Sequence, residues 1–232
     1  MSTDSRQFRV KICGNTSAAD LALAAEAGAD FAGLVLDVPA SPRSLPTDYA
    51  VQVARDAPLP LVAVVMDAPL EAVLRAAEGI RPAAIQLHGS EPEAFVGRLQ
   101  DRVGCGIWKV VHMPPAQRGA LNLELVLERL RRYAEAGCHA ILLDTVVGGR
   151  TWGGTGLTSD WQCARDIVSA VELPIMLAGG LNPNNVAAAV AAVRPAGVDA
   201  ASGLEAAPGR KDPGAVKQFV RRARAAASGL TP

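Results

Sequence analysis

The sequence predicts a single α/β domain over residues 1–232, a closed (β/α)8 TIM barrel of eight parallel strands. Three observations carry this prediction. Short apolar runs alternate with longer amphipathic segments along the whole chain. The runs are apolar almost end to end, the pattern of parallel strands covered on their outer face. Eight such strand–helix units follow one another without a linker in 232 residues, a size suited to one barrel. A doubly wound open sheet is the runner-up.

The strands fall at 8–13 (FRVKIC), 30–36 (DFAGLVL), 60–66 (PLVAVVM) and 83–88 (AAIQLH), then at 106–112 (GIWKVVH), 139–144 (HAILLD), 174–178 (PIMLA) and 196–200 (AGVDA). Helical segments with start and stop signals lie between them. Thr16-Ser17 leads into AADLALAAEAG, whose glycine suits a helix C-terminus. Ser90 precedes EPEAFVGRLQ, with proline and acid in the first turn. Segment 120–137 places Leu123, Leu127 and Leu130 on one face. Asn182 caps PNNVAAAVAAV, and Asp212 caps PGAVKQFVRRARAAAS. The ends, about 1–6 and 228–232, read as frayed tails.

Composition narrows the function classes. Lys+Arg and Asp+Glu both total 23, so the basic excess of a nucleic-acid binder is missing. No apolar run is long enough to span a membrane, and MSTDSRQF lacks the apolar core of a signal peptide, so a cytoplasmic location is expected. The four cysteines (13, 105, 138, 163) form no CxxC pair, and the three histidines (88, 112, 139) are dispersed. Reduced thiols and no metal site are the expectation. Alanine-rich helices show no dimer patch, which leaves monomer and homodimer both open.

In such barrels the chemistry sits at the C-terminal ends of the strands. Cys13 ends strand one, Gln86 and His88 end strand four, Asp144 ends strand six, and strand eight carries Asp199. Gly179-Gly180 follow strand seven, and Ser202-Gly203 follow strand eight. Two small-residue loops at neighbouring strands favour a bound anion, because exposed N–H groups and helix dipoles converge there, and point to a phosphate monoester substrate. Cys13 and Asp144 could each be packing or loop-capping residues; together at the active end they read as an acid/base pair. Residues i and i−2 share a strand face, so Lys11 lies one layer beneath Cys13, where its ammonium favours the thiolate against burial. Arg43, in the proline-broken loop LDVPASPR, has the fork that clamps a carboxylate. Gln86 and His88 share a face and would meet the same end of the substrate, whereas His112 and His139 are expected to lie away from it.

KICG at 11–14, SPR at 41–43, QLHG at 86–89, LLDT at 142–145, GGTG at 153–156, LAGGLNP at 177–183, VRP at 193–195 and GVD with SG at 197–203 occur in this order. With these motifs the chain resembles the phosphoribosylanthranilate isomerase family of tryptophan biosynthesis, from about residue 9 to 221. The resemblance implies a cofactor-free Amadori rearrangement of N-(5-phosphoribosyl)anthranilate. It implies Asp144 as the general acid that opens the furanose and Cys13 as the general base that removes the C2′ proton. It further implies Arg43 on the anthranilate carboxylate, Asp199 near the reacting sugar, and Gly179, Gly180, Ser202 and Gly203 around the phosphate. Three positions depart from the family's usual residues: Ala201 for serine, Ser159 for phenylalanine and Asp67 for asparagine; the loop LDVPASPR also lacks a familiar aromatic. A relative with shifted or broadened sugar-phosphate specificity and a catalytically silent ligand-binding barrel are the alternatives.

Overall fold

The structure is a computed structural model that describes residues 7–113, 122–145 and 161–230. Eight parallel strands form the barrel: β1 (Arg9–Ile12), β2 (Phe31–Leu36), β3 (Leu61–Val65), β4 (Ala84–Leu87), β5 (Gly106–Met113), β6 (Ala140–Thr145), β7 (Ile175–Leu177) and β8 (Gly197–Ala200). Each pairs with the next in chain order. Lys11 of β1 is in register with Asp199 of β8 on one side and Phe31 of β2 on the other. Those two pairings close the ring and exclude the open sheet.

Around the strands run α1 (Ala18–Glu26), α2 (Thr47–Ala54), α3 (Leu70–Ile80), α4 (Glu93–Gln100), α5 (Leu123–Glu135), α6 (Trp161–Ala170), α7 (Val186–Val193) and α8 (Pro213–Ser228). Strand alternation divides the apolar side chains into two cores. Ile12, Leu34, Val65, Leu87, Ile141 and Leu177 point outward and pack under the helices. Val62, Val64, Trp108, Val110, Leu142 and Met176 point inward and fill the barrel beneath its mouth, with Cys13 at the edge of this inner cluster. An apolar barrel interior explains why the strands read as continuous hydrophobic runs.

The helix signals hold in part. Ser17 Oγ accepts the Asp20 N–H at 3.2 Å while Asp20 accepts the Thr16 N–H at 2.8 Å, a reciprocal cap on α1. Asp212 accepts the Ala215 N–H at 2.9 Å, with Pro213 opening α8. Two predicted caps are corrected. Ser90 is not the cap of α4, which begins at Glu93 after Pro92, because Glu91 turns inward to a buried lysine. Asn182 uses its side chain to accept the Asn184 N–H at 2.8 Å in a turn that precedes α7, whose cap position is Asn185. At the C-terminus α8 is helical through Ser228 and Gly229 closes it, while residues 231 and 232 of the expected tail lie outside the described residues. A short strand at Ser44–Leu45 beside β2, a 3-10 turn at Ser202–Leu204 and a hairpin of Glu205–Ala207 with Arg210–Lys211 were not anticipated from sequence.

Candidate active site

The mouth of the barrel holds a cavity lined by Cys13, Arg43, Gln86, His88, Asp144, Gly179, Gly180, Asp199 and Ser202. Strand ends on the inward parity supply most of these groups, so the pleat that fills the interior with Val64, Val110 and Leu142 also aims Cys13, Gln86 and Asp144 into the cavity. Lys11 and Gly203, also expected at the site, are not among the lining residues; Gly203 packs against the Leu181 carbonyl instead.

Lys11 is fully buried, and its Nζ lies 3.0 Å from Asp199 Oδ1 across the β1–β8 pairing. Burial works against its charge, but Asp199 and Cys13 outweigh that cost and hold the ammonium pKa above its ordinary value. At Cys13 burial dominates in the other direction. Desolvation raises the thiol pKa, Lys11 lowers it, Asp199 raises it again, and the net shift is upward. Lys11 thus works toward the thiolate and burial against it, with burial the larger. Asp199, paired with the same ammonium, works with burial against the thiolate, and Lys11 limits that penalty. If Cys13 acts as a base, Lys11→Met removes that limit. The rising limb of the kcat/KM–pH profile should then move to higher pH, with activity at neutral pH falling about tenfold per unit of displacement. An unmoved limb would sever Lys11 from the thiol.

Gly33 of β2 faces this pair and was not singled out from sequence. A Cβ there would stand 2.7 Å from Cys13 Sγ and 3.1 Å from both Lys11 Cε and Nζ, so a hydrogen is the only side chain that leaves both groups in place. Gly33→Ala should lower turnover by about tenfold to 10²-fold through displacement of the sulfur, with the fold retained by circular dichroism. Unchanged turnover would show that the thiol position is not critical.

Arg43 lines the cavity, but one edge of its guanidinium is already engaged. Nε and Nη2 each donate to Glu205 at 2.7 Å, a bidentate pair. Lys211 donates to the same carboxylate at 3.0 Å and to the Ala201 carbonyl at 3.2 Å. Burial raises the Glu205 pKa, yet Arg43 and Lys211 override it and hold the carboxyl below its ordinary value. Glu205 was missed because its hairpin was unseen. It orients Arg43 across the pocket and leaves the opposite edge of the guanidinium as the part able to meet a ligand.

At the glycine loops, Gly179 and Gly180 take φ values of +84° and +67°, successive left-handed residues that turn the chain sharply after β7. The Gly180 carbonyl is held by Asn185 Nδ2 at 3.0 Å and Asn182 Nδ2 at 3.2 Å. A Cβ at Gly203 would collide with the Leu181 carbonyl, so the loops after β7 and β8 pack directly on each other. Ala201, one of the departures from the family pattern, lies at the cavity wall beside them.

On the opposite wall Gln86 Nε2 lies 3.2 Å from His88 Nδ1, and His88 Nε2 lies 3.5 Å from Asp144 Oδ2. With the amide nitrogen donating to Nδ1, the imidazole proton sits on Nε2 and faces Asp144. His112 corrects an expectation. In β5 it has the inward parity and is in register with Asp144. Its ring lies 5.4 Å from that of His88, and its Nε2 is 3.1 Å from the His88 carbonyl oxygen. His139 does lie at the other end, where its Nδ1 accepts the Ile107 N–H at 3.1 Å.

Behind His88 is a buried clamp that sequence reading did not find. Lys109 Nζ donates to the carbonyls of Leu87 (3.1 Å) and Gly89 (2.7 Å), the residues on either side of His88, and to Glu91 Oε2 at 2.9 Å. Glu91 Oε1 accepts the N–H groups of Asp67 (2.9 Å) and Gly89 (3.2 Å), and Tyr133 donates to the Glu91 carbonyl at 2.8 Å. Asp67 itself accepts the Ser90 N–H at 2.6 Å, so this departure from the family pattern serves the same loop. Ser159 and the GGTG segment lie outside the described residues.

Comparison with known proteins points to one family. The family model for N-(5′-phosphoribosyl)anthranilate isomerase matches residues 10–222. The N-(5′-phosphoribosyl)anthranilate isomerase of Methanocella arvoryzae is 39% identical over 219 residues, covering 93% of this chain and 98% of that protein. The crystal structure of phosphoribosylanthranilate isomerase from Thermotoga maritima superposes with a TM-score of 0.79 at 33% identity, covering 94% of this chain and 100% of that one. A structure of such an isomerase in complex with reduced 1-(o-carboxyphenylamino)-1-deoxyribulose 5-phosphate superposes with a TM-score of 0.76 at 32% identity, covering the same shares. By sequence and by fold, this chain belongs to the phosphoribosylanthranilate isomerase family, the isomerases of tryptophan biosynthesis.

Proposed function

We propose that this chain converts N-(5-phosphoribosyl)anthranilate to 1-(2-carboxyphenylamino)-1-deoxyribulose 5-phosphate, with Asp144 as general acid and Cys13 as general base. One observation carries the reading: Cys13 and Asp144 line a single cavity between the two glycine loops and Arg43. A phosphate fits the loops after β7 and β8, where backbone N–H groups suit an anion. The anthranilate carboxylate fits the free edge of the Arg43 guanidinium, whose other edge Glu205 anchors. These two anchors stretch the substrate so that its sugar lies between the acid and the base.

The steps then follow from proton balance. Asp144 gives its proton to the furanose ring oxygen, the C1′–O bond breaks, and the anilino nitrogen lone pair forms the Schiff base. Cys13, as thiolate, takes the C2′ proton, and the electron pair moves to make the enolamine. Water protonates C1′ and takes the C2′ hydroxyl proton to give the ketone, while Cys13 gives its proton to solvent and Asp144 regains one. Protons alone are exchanged, so no cofactor takes part. Asp199, paired with Lys11, flanks the thiol and holds local charge steady as the proton arrives. Gln86 and His88 hold Asp144 at the sugar side.

The test is loss of the substrate's anthranilate fluorescence on addition of the purified protein. Turnover with formation of the deoxyribulose product supports the reading. A correctly folded protein that binds the product analogue without turnover would instead mark a silent binding barrel.

A further inference from the structure

His88, His112 and Asp144 come from three adjacent strand ends, and one ligand atom of each lies within 4.8 Å of the others. We propose that these three side chains form a binding site for a divalent transition-metal ion of the zinc or cobalt type, whose occupation blocks the enzyme. Two imidazoles and one carboxylate are a donor set suited to such ions, with positions left open toward the cavity. The His88 Nε2–Asp144 Oδ2 separation of 3.5 Å is already close to the spacing of two ligands on one tetrahedral ion. His112, within 4.8 Å of the other two, needs a side-chain adjustment of up to about 1.5 Å to join them.

Two buried atoms suggest that the surroundings fit this occupant. Gln86 Oε1 and His112 Nδ1 both lack a hydrogen-bond partner among the described residues. A metal on His88 Nε2 requires the ring proton on Nδ1. Turning the Gln86 amide about then lets Oε1 accept that proton, the orienting bond that metal-bound histidines ordinarily make. The same flip carries Nε2 to the position that Oε1 leaves, so the amide stays engaged with His88 in either tautomer. His112 Nδ1 offers a lone pair within the same cluster.

The blockade rests on the proposed role of Asp144: a carboxylate held by a metal has no proton to give the furanose oxygen. Chelator-treated protein is titrated with Co2+ and followed by its visible d–d absorption, and with Zn2+ by calorimetry and by turnover. The site predicts one ion per chain and inhibition by Zn2+ that chelator reverses. His112→Gln keeps an amide donor for the His88 carbonyl and removes the imidazole ligand. It should retain turnover in metal-free buffer while weakening both ions by at least about tenfold. No binding at stoichiometric metal, or unchanged binding in His112→Gln, overturns the site. Binding lost in Cys13→Ser but intact in His112→Gln places the ion on the thiol and also overturns it. Binding that depends on His112 but leaves turnover untouched overturns the blockade, and with it the assignment of Asp144 as the acid.

Discussion

Asp144→Asn is expected to lower kcat by about 10²- to 10⁴-fold while the barrel and its affinity for product remain in place. The carboxamide is nearly the same shape as the carboxyl group, and its oxygen can still accept from His88 Nε2, so the wall of the cavity is preserved. What disappears is the transferable proton. Without it the furanose must expel an unprotonated alkoxide, and ring opening becomes the slow step. Asp144 is only 5% exposed, so water does not replace the acid readily. Steady-state fluorescence kinetics, together with equilibrium binding of the reduced product analogue, separate the two effects. A fall in kcat of less than tenfold, or a loss confined to KM, would remove Asp144 from the acid role.

The second large effect is on stability. Lys109→Met should destabilise the protein by about 3–5 kcal/mol, because it leaves Glu91 buried without its cation. Lys109 is 1% exposed and Glu91 3% exposed, so solvent screens this pair little. The methionine keeps most of the aliphatic stem, and packing loss is therefore a minor part. The carbonyls of Leu87 and Gly89 also lose their shared donor, which loosens the backbone on either side of His88. The double variant Lys109→Met with Glu91→Gln should recover a substantial part of the loss. Glutamine removes the stranded charge, and its Oε1 can still accept the N–H groups of Asp67 and Gly89. Urea denaturation of the wild type, the single and the double variant measures this directly. Equal losses in single and double variants would mean that the charge pair is not the source.

How far these features are legible in the sequence depends on what kind of contact sets them. The eight strands could be placed to within one or two residues because each is a buried apolar run. Closure of the ring followed from their number. Cys13, Gln86 and Asp144 were legible because strand parity and the rule that barrels work at their C-terminal end involve only local sequence. The clamp behind His88 was not, since Lys109 reaches from β5 to Glu91 in the loop after the neighbouring β4 and reads locally as one polar residue in the run GIWKVVH. His112 was misplaced for a related reason. Its proximity to His88 and Asp144 comes from the β4–β5–β6 register, which no single strand reveals. Arg43 was expected with its fork open; Pro208-Gly209 marks a turn in the Glu205 hairpin, but nothing local shows that this turn carries Glu205 to the guanidinium. Helix starts at Ser90 and Asn182 failed where the capping residue type was present but its neighbours had tertiary partners.

The central claim, that Cys13 takes the C2′ proton, is tested most directly by label release. Substrate carrying deuterium at C2′ is incubated with the wild type and with Cys13→Ser, and loss of that deuterium is followed by NMR. The account predicts release at the rate of turnover in the wild type. In Cys13→Ser it predicts at most about a hundredth of that rate, because a serine hydroxyl is too weak an acid to supply the base at neutral pH. Release in Cys13→Ser within about tenfold of the wild type would contradict it and assign the proton to another group.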